Sequence, residues 1–181
     1  MRVALVLGLW LAIACTPAQA GRMTDHEQVG AWETFTWFTD AGEFSYCAAV
    51  TTDQAGRELF ISVGRDGLAF SIDAPGQRLQ QGQVMPVMVH IDEQTVFAPV
   101  DARVFGQPGQ NLLLVELGWD ERIFPALRFG RQRTLISQQF GYDYGLAGAG
   151  PALEVMDRCA ACYIGSPLPA APAGTPPQAC P

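Results

Sequence analysis

The sequence contains no lysine, and its charge is strongly one-sided. All 11 basic residues are arginine, against 18 acidic residues, and the formal net charge at neutral pH is −7. Binding to a nucleic-acid backbone requires a basic stripe or patch that neutralises phosphates. We therefore expect no nucleic acid among the partners of this protein.

Sequence motifs of the common catalytic and cofactor sites are also missing. The chain has no G-x-S-x-G, no H-E-x-x-H, no Walker loop and no dinucleotide fingerprint, and it has only two histidines, His26 and His90. The carboxylate pairs Asp92-Glu93 and Asp120-Glu121 fall at predicted turns and are interpreted as solvated turn residues. The sequence thus predicts no catalytic residue, no cofactor and no metal, although a hydrolase built from carboxylates that meet only in the fold stays an alternative.

The first twenty residues have the layout of a secretory signal peptide. Arg2 gives a positive start, Val3 to Ala14 form an uncharged apolar run, and Ala18-Gln19-Ala20 places small residues at the usual cleavage positions. We expect cleavage after Ala20 and a periplasmic or secreted protein. Twelve apolar residues are too few to span a bilayer, which takes about 20, so no integral span is expected. Lipid attachment at Cys15 is the less favoured alternative.

The remaining chain divides into a folded part and a tail. Residues 21–163 are long enough for one core and too short for two, so they predict a single β-rich domain in which residues 21–30 form a loose arm. Residues 164–181 are proline-rich and are expected to form an extended tail.

The hydrophobic pattern predicts an α+β fold built on a β-rich antiparallel sheet, with a sandwich-like arrangement and one or two helices. Apolar residues alternate in the segment Glu58 to Asp73, where Asp66-Gly67 supplies a hairpin turn. A second hairpin is indicated around residues 92–94, and Ala102 to Phe105 is a further short strand. The last helix is expected at about residues 151–160, after a glycine-rich connection.

Four cysteines remain after processing: Cys47, Cys159, Cys162 and Cys180. An even number in an exported protein predicts disulfide bridges. Because Cys159 falls on the apolar face of the last helix, we expect it to pair with Cys47, which leaves Cys162 for Cys180. The C-x-x-C spacing of residues 159–162 also allows a thiol–disulfide oxidoreductase, but its place at the end of a helix disfavours a reactive thiolate.

Several of these features together resemble the invasion-associated locus B family of small exported bacterial proteins. They are an early tryptophan, Trp32, a cysteine in an early strand, Cys47, the strand segment "VMVHID", and the ending "YGLAGAGPALEVMDRC", in which Leu146, Gly148, Ala152 and Leu153 match the family's closing pattern. The resemblance implies a non-enzymatic accessory protein of the bacterial cell envelope with a protein partner. A similar ending occurs in periplasmic accessory proteins of type VI secretion, which is a second possibility.

Overall fold

The structure is a computed structural model and describes residues 21–92, 94–106, 111–120, 122–136 and 141–165. These residues form ten strands and two helices. In chain order they are β1 Arg22–Val29, β2 Trp32–Phe38, β3 Phe44–Thr52, β4 Glu58–Gly64, β5 Gly67–Asp73, β6 Val84–Ile91, β7 Gln94–Phe105, β8 Leu112–Gly118, α1 Ile123–Phe129, β9 Gln132–Ile136, β10 Gly141–Gly145 and α2 Ala149–Ile164. The predicted β-rich α+β fold is confirmed.

All ten strands belong to one sheet in the order β1-β2-β3-β4-β5-β8-β7-β6-β9-β10. Each neighbouring pair of strands is antiparallel. The two predicted hairpins are present as β4–β5 and β6–β7. In the first, Gly67 has φ of +118°, and a Cβ there would overlap the backbone of Gly118. Only glycine fits this turn, because it must combine a positive φ with close backbone contact.

One face of the sheet, which we call the inner face, forms the core. The period-2 alternation of the sequence places every second residue of β2 to β8 on it. Its buried members include Thr34, Thr36, Cys47, Ala49, Leu59, Ile61, Val63, Leu68, Phe70, Ile72, Leu113 and Val115. Helix α2 packs against this face where it crosses β2, β3 and β4.

The sheet curls so that its last strand returns to its middle. The Tyr142 and Tyr144 hydroxyls in β10 donate hydrogen bonds to the carbonyl oxygens of Pro75 and Asp73, at 3.0 and 3.2 Å. Strands β5 and β10 are five places apart in the sheet order, which in a flat sheet is about 24 Å at 4.8 Å per strand. Contact across that separation requires strong curvature, so these hydrogen bonds fasten one end of the sheet over its centre.

Arg57, at the turn between β3 and β4, completes this closure. Its guanidinium lies over the rings of both Tyr142 and Tyr144, at 5.4 and 5.2 Å from their centroids, and donates to the Asp143 carbonyl oxygen. Asp53 pairs with the same guanidinium through its carboxylate. The residue thus links the β3–β4 turn to β10 by charge, hydrogen bonding and ring contact together.

Three boundaries differ from the predictions. Residues 22–29 form the edge strand β1 and not a loose arm. The hydrophobic pattern missed it because β1 pairs on one side only and carries mostly exposed polar residues, with a bulge at Thr24–Glu27 where Asp25 has φ of +53°. Residues 102–105 are the end of the longer strand β7, whose register shifts around Pro99; proline is tolerated in strands at such irregularities.

The last helix is longer than expected at both ends, because Gly148 begins it in a left-handed conformation and Gly165 ends it in the same way. Its final turns therefore include the C-x-x-C segment. Neither helix in the described part of the chain is long and apolar enough to cross a membrane. The predicted signal peptide and the tail from residue 166 onward lie outside the described residues.

Candidate functional site

The predicted bridge between Cys47 and Cys159 is present and joins β3 to α2. The two Cα atoms lie 6.1 Å apart, within the usual range for a disulfide. Cys47 is fully buried, and Thr36, its partner across β2 and β3, places its hydroxyl 3.2 Å from the Cys159 sulfur. The bridge therefore holds the helix on the inner face where α2 crosses β2 and β3.

Cys162 lies one turn beyond Cys159 in α2 and is also disulfide-bonded. Its predicted partner, Cys180, lies outside the described residues, so that pairing stays a prediction. Because Cys159 is bonded to Cys47, the two cysteines of the C-x-x-C segment are not bonded to each other. The segment occupies the C-terminal turns of α2, where the helix dipole disfavours a thiolate.

The carboxylates of the predicted turns hold the backbone in place. Asp92 accepts hydrogen bonds from the backbone N–H groups of Arg131 and Gln132, at 2.9 and 3.0 Å, and these bonds lower the pKa of its carboxyl group. Asp120 binds the Arg122 guanidinium through both oxygens, and this pairing lowers its pKa to about 2. Glu93 and Glu121 lie outside the described residues.

The two histidines lie apart. His26 is exposed on the edge strand β1 and pairs with Glu33, with 2.7 Å between the ring nitrogen and the carboxylate oxygen. His90 lies in β6, opposite Thr95 and Thr134 of the neighbouring strands. Within the residues that the structure describes, no three His, Cys, Asp or Glu side chains form a metal-binding group.

The glycine-rich connection before α2 is tightly packed. The Trp32 indole donates a hydrogen bond to the Ala147 carbonyl oxygen at 3.0 Å, and a Cβ at Gly148 would lie 3.7 Å from the Trp32 ring. A Cβ at Gly150 would lie 3.1 Å from the Arg128 carbonyl oxygen. The connection between β10 and α2 is therefore packed against Trp32 and the backbone of Arg128.

Sequence reasoning missed the surface on the other side of the sheet. Each strand from β1 to β4 places apolar or aromatic side chains there, and we call this set the outer aromatic face: Met23, Phe35, Trp37, Tyr46 and Phe60. The available signal was that β2 and β3 have apolar residues at both alternating positions, which means that both faces are apolar.

The rings of the outer aromatic face contact one another directly. Trp37 and Tyr46, paired across β2 and β3, have nearly parallel rings with centroids 6.4 Å apart. Phe60 meets Tyr46 and Phe35 edge to face, at 5.7 and 6.0 Å. Phe35 is only 8% exposed, whereas Met23 is 45% exposed and the other three rings are half-buried. The cluster is therefore buried at Phe35 and open to solvent at Met23.

Three carboxylates flank these rings, and we call them the acidic rim: Glu33, Glu58 and Asp73. Glu33 and Phe60 both pair with Val50, and the register of β4 and β5 places Glu58 opposite Asp73. Burial raises the pKa of Glu58, and the charges of Asp73 and Glu33 raise it further. Like charges opposed across a sheet are destabilising, so the fold tolerates this arrangement at a cost in stability.

Comparison with known proteins supports the fold. The sequence matches no family model and no curated protein. Among solved structures, it is similar to the crystal structure of invasion associated protein B from Bartonella henselae, with 18% identity, a TM-score of 0.50, and coverage of 74% of this chain and 95% of that one. At this identity the similarity is one of fold alone, and the chain therefore shares its fold with an invasion associated protein B.

Proposed function

We propose that this protein is an exported, non-enzymatic accessory protein of the bacterial cell envelope that acts by binding a protein partner. Three observations support export and pathway: the signal-like leader, a disulfide that persists only in an oxidising compartment, and the fold shared with invasion associated protein B. The finer assignment to an invasion-associated locus B-like role is part of this proposal.

The observation that carries the binding role is the outer aromatic face. Tryptophan, tyrosine, phenylalanine and methionine are the residues enriched at protein interfaces, where large rigid side chains bury much area at low entropic cost. On this protein they stand together on a sheet whose opposite face is tied to α2 by the Cys47–Cys159 bridge. A rigid scaffold with aromatic side chains clustered on one surface is the arrangement that protein recognition requires.

Site-specific photo-crosslinking in intact cells tests the proposal. A benzophenone amino acid replaces Met23, which is exposed at the edge of the outer aromatic face, and in a control strain it replaces Arg158, which is exposed on α2. We expect a discrete adduct with an envelope or exported protein from position 23 only. Equal adducts from both positions, or none from either, would contradict the proposal. A secretion-system component in the adduct would favour the type VI alternative.

The oxidoreductase alternative has a separate test. The oxidised protein is incubated with a reduced, unfolded disulfide substrate, and the reduced protein with an oxidised one. We expect no turnover above background, because Cys159 is bonded to Cys47 and Cys162 is also bridged. Catalytic exchange that is abolished by Cys159→Ser would make the protein an enzyme.

A further inference from the structure

The chemistry of the partner can be inferred from what surrounds the outer aromatic face, and this step rests on the proposed function. The acidic rim lies beside the rings on the same surface. Glu33 and Phe60 share the cross-strand neighbour Val50, and Glu58 is two residues before Phe60 on β4, a spacing of about 6.6 Å along a strand. Carboxylates and aromatic faces are therefore adjacent within one short patch.

Both parts of the patch favour the same kind of ligand. Carboxylates attract cations by charge, and the faces of tryptophan, tyrosine and phenylalanine rings attract them through the ring quadrupole. Glu33 is 43% exposed, and its carboxylate contacts the His26 ring. The Glu33 carboxylate is therefore accessible to a cationic side chain of a partner. The overall charge of −7 would also steer a cationic partner towards the protein.

We propose that the outer aromatic face binds a cationic segment of the partner protein, with arginine or lysine side chains placed between the acidic rim and the Trp37, Tyr46 and Phe60 rings. The patch extends over four cross-strand rows, from Glu58 to Trp37, or about 20 Å at 3.3 Å per residue. A segment of about six extended residues covers that length. The bound cation would relieve the repulsion between Glu58 and Asp73.

The proline-rich tail of the chain itself is the competing occupant. Proline-rich segments bind aromatic surfaces, and α2 ends with Tyr163 packed on Phe38 and Phe44, next to β2. Residues 166–181 contain no charged side chain, however, so they would leave the acidic rim unpaired. Charge complementarity therefore favours a cationic partner.

Peptide binding to the oxidised mature chain, residues 21–181, tests the proposal. The probe is a fluorescein-labelled nine-residue peptide of alternating arginine and leucine, measured by anisotropy. The comparison peptides replace every arginine by glutamate, or have the sequence of residues 166–177. We expect saturable binding of the arginine peptide that weakens with added salt. Stronger binding of either comparison peptide would overturn the proposal.

Matched variants locate the binding site. Glu58→Gln and Glu33→Gln each remove one charge of the rim, and we expect each to weaken binding about threefold, as for other partly exposed ion pairs. Trp37→Ala should weaken it about tenfold or more if the ring is a binding hot spot. Glu27→Gln is the control, since it removes the same charge on β1 but lies on the other face, opposite Thr34. Thermal melts of each variant show whether it is folded.

The outcomes separate the two proposals. If position 23 captures an envelope partner but the rim variants bind the arginine peptide as well as Glu27→Gln does, the proposed function stands and the cationic partner is wrong. If position 23 captures nothing and the arginine peptide does not bind, both are wrong. Equal weakening by Glu27→Gln and Glu58→Gln would show a diffuse charge effect and would also overturn the site.

Discussion

The Glu58 carboxylate is proposed to contribute to binding, but it is expected to lower the stability of the fold. Its pKa is raised in the folded state by burial and by the charges of Asp73 and Glu33. A raised carboxyl pKa contributes stability that is fully present below the unfolded pKa, about 4.3, and is lost as the pH rises through the folded pKa. At neutral pH the ionised Glu58 therefore destabilises the fold.

Glu58→Gln should accordingly raise the melting temperature at pH 7, and the gain should vanish near pH 3.5, below the unfolded pKa of about 4.3, where the wild-type side chain is protonated. Melting curves recorded by circular dichroism between these pH values measure the difference. Glu27→Gln, on the exposed edge strand, should show no comparable dependence. A lower melting temperature for Glu58→Gln at pH 7 would mean that the Glu58 carboxylate stabilises the fold despite its partial desolvation and its acidic neighbours.

Arg57 is the residue whose loss should loosen the closure of the sheet. Its guanidinium contacts two tyrosine rings, the Asp53 carboxylate and the Asp143 carbonyl oxygen at once. Lysine keeps the charge but cannot reproduce the planar stacking and the divergent hydrogen bonds. We expect Arg57→Lys to lower the free energy of unfolding by about 1–2 kcal/mol. Urea denaturation measures this, with Arg158→Lys on the exposed side of α2 as the control; an equal loss in both would contradict the role.

At the scale of elements, the sequence predicted those strands that have one apolar face and one polar face. The β4–β5 hairpin is such a case, because its apolar residues alternate strictly and a glycine turn separates them. Strand β1 was not predictable, because its stability comes from pairing with β2 and not from an apolar face of its own. The outer aromatic face was missed for a related reason: alternation shows which residues share a face, but not which of two apolar faces the helix covers.

The C-terminal end of α2 makes contacts that its sequence did not suggest. Tyr163 stacks on Phe44 and meets Phe38 edge to face, with ring centroids 5.0 and 5.4 Å apart. A chain ending after Gly165 with Cys162→Ser keeps these contacts, whereas one ending after Ala161 loses them. Both lack the tail and the Cys162 thiol.

The longer of these two chains should melt close to the full-length protein, and the shorter one should melt lower by about 2–12 °C, since each of the two aromatic pairs contributes about 0.5–1.5 kcal/mol beyond burial. Differential scanning calorimetry makes the comparison. Equal melting of the two truncated chains would show that the last turn of α2 adds nothing. A large loss in the longer chain would show that the tail supports the domain.

At the scale of the whole molecule, the pairing of distant segments determines the architecture. The inward position of Cys159 could be predicted from helical periodicity, and with it the bridge to Cys47. The return of β10 to the middle of the sheet could not, because the tyrosines of β10 reach backbone carbonyl oxygens, which every residue carries and no side-chain pattern identifies. Contacts of this kind cannot be predicted from the sequence of the segment whose carbonyl oxygens accept the hydrogen bonds.

The Cys47–Cys159 bridge should dominate the stability of the whole molecule. It closes a separation of 112 residues, and loop-closure entropy gives about 4–5 kcal/mol for a loop of that size. Urea denaturation of Cys47→Ala/Cys159→Ala should show a loss of this order, while Cys162→Ala/Cys180→Ala should lose far less, because the predicted bridge between Cys162 and Cys180 would close only a short loop of tail residues. Equal losses in the two double variants would contradict this ranking.

Reduction of the wild-type protein should lower its stability to that of the first variant. A domain so dependent on one bridge would keep its full stability only where thiols stay oxidised, which ties its working compartment to the export proposed for it.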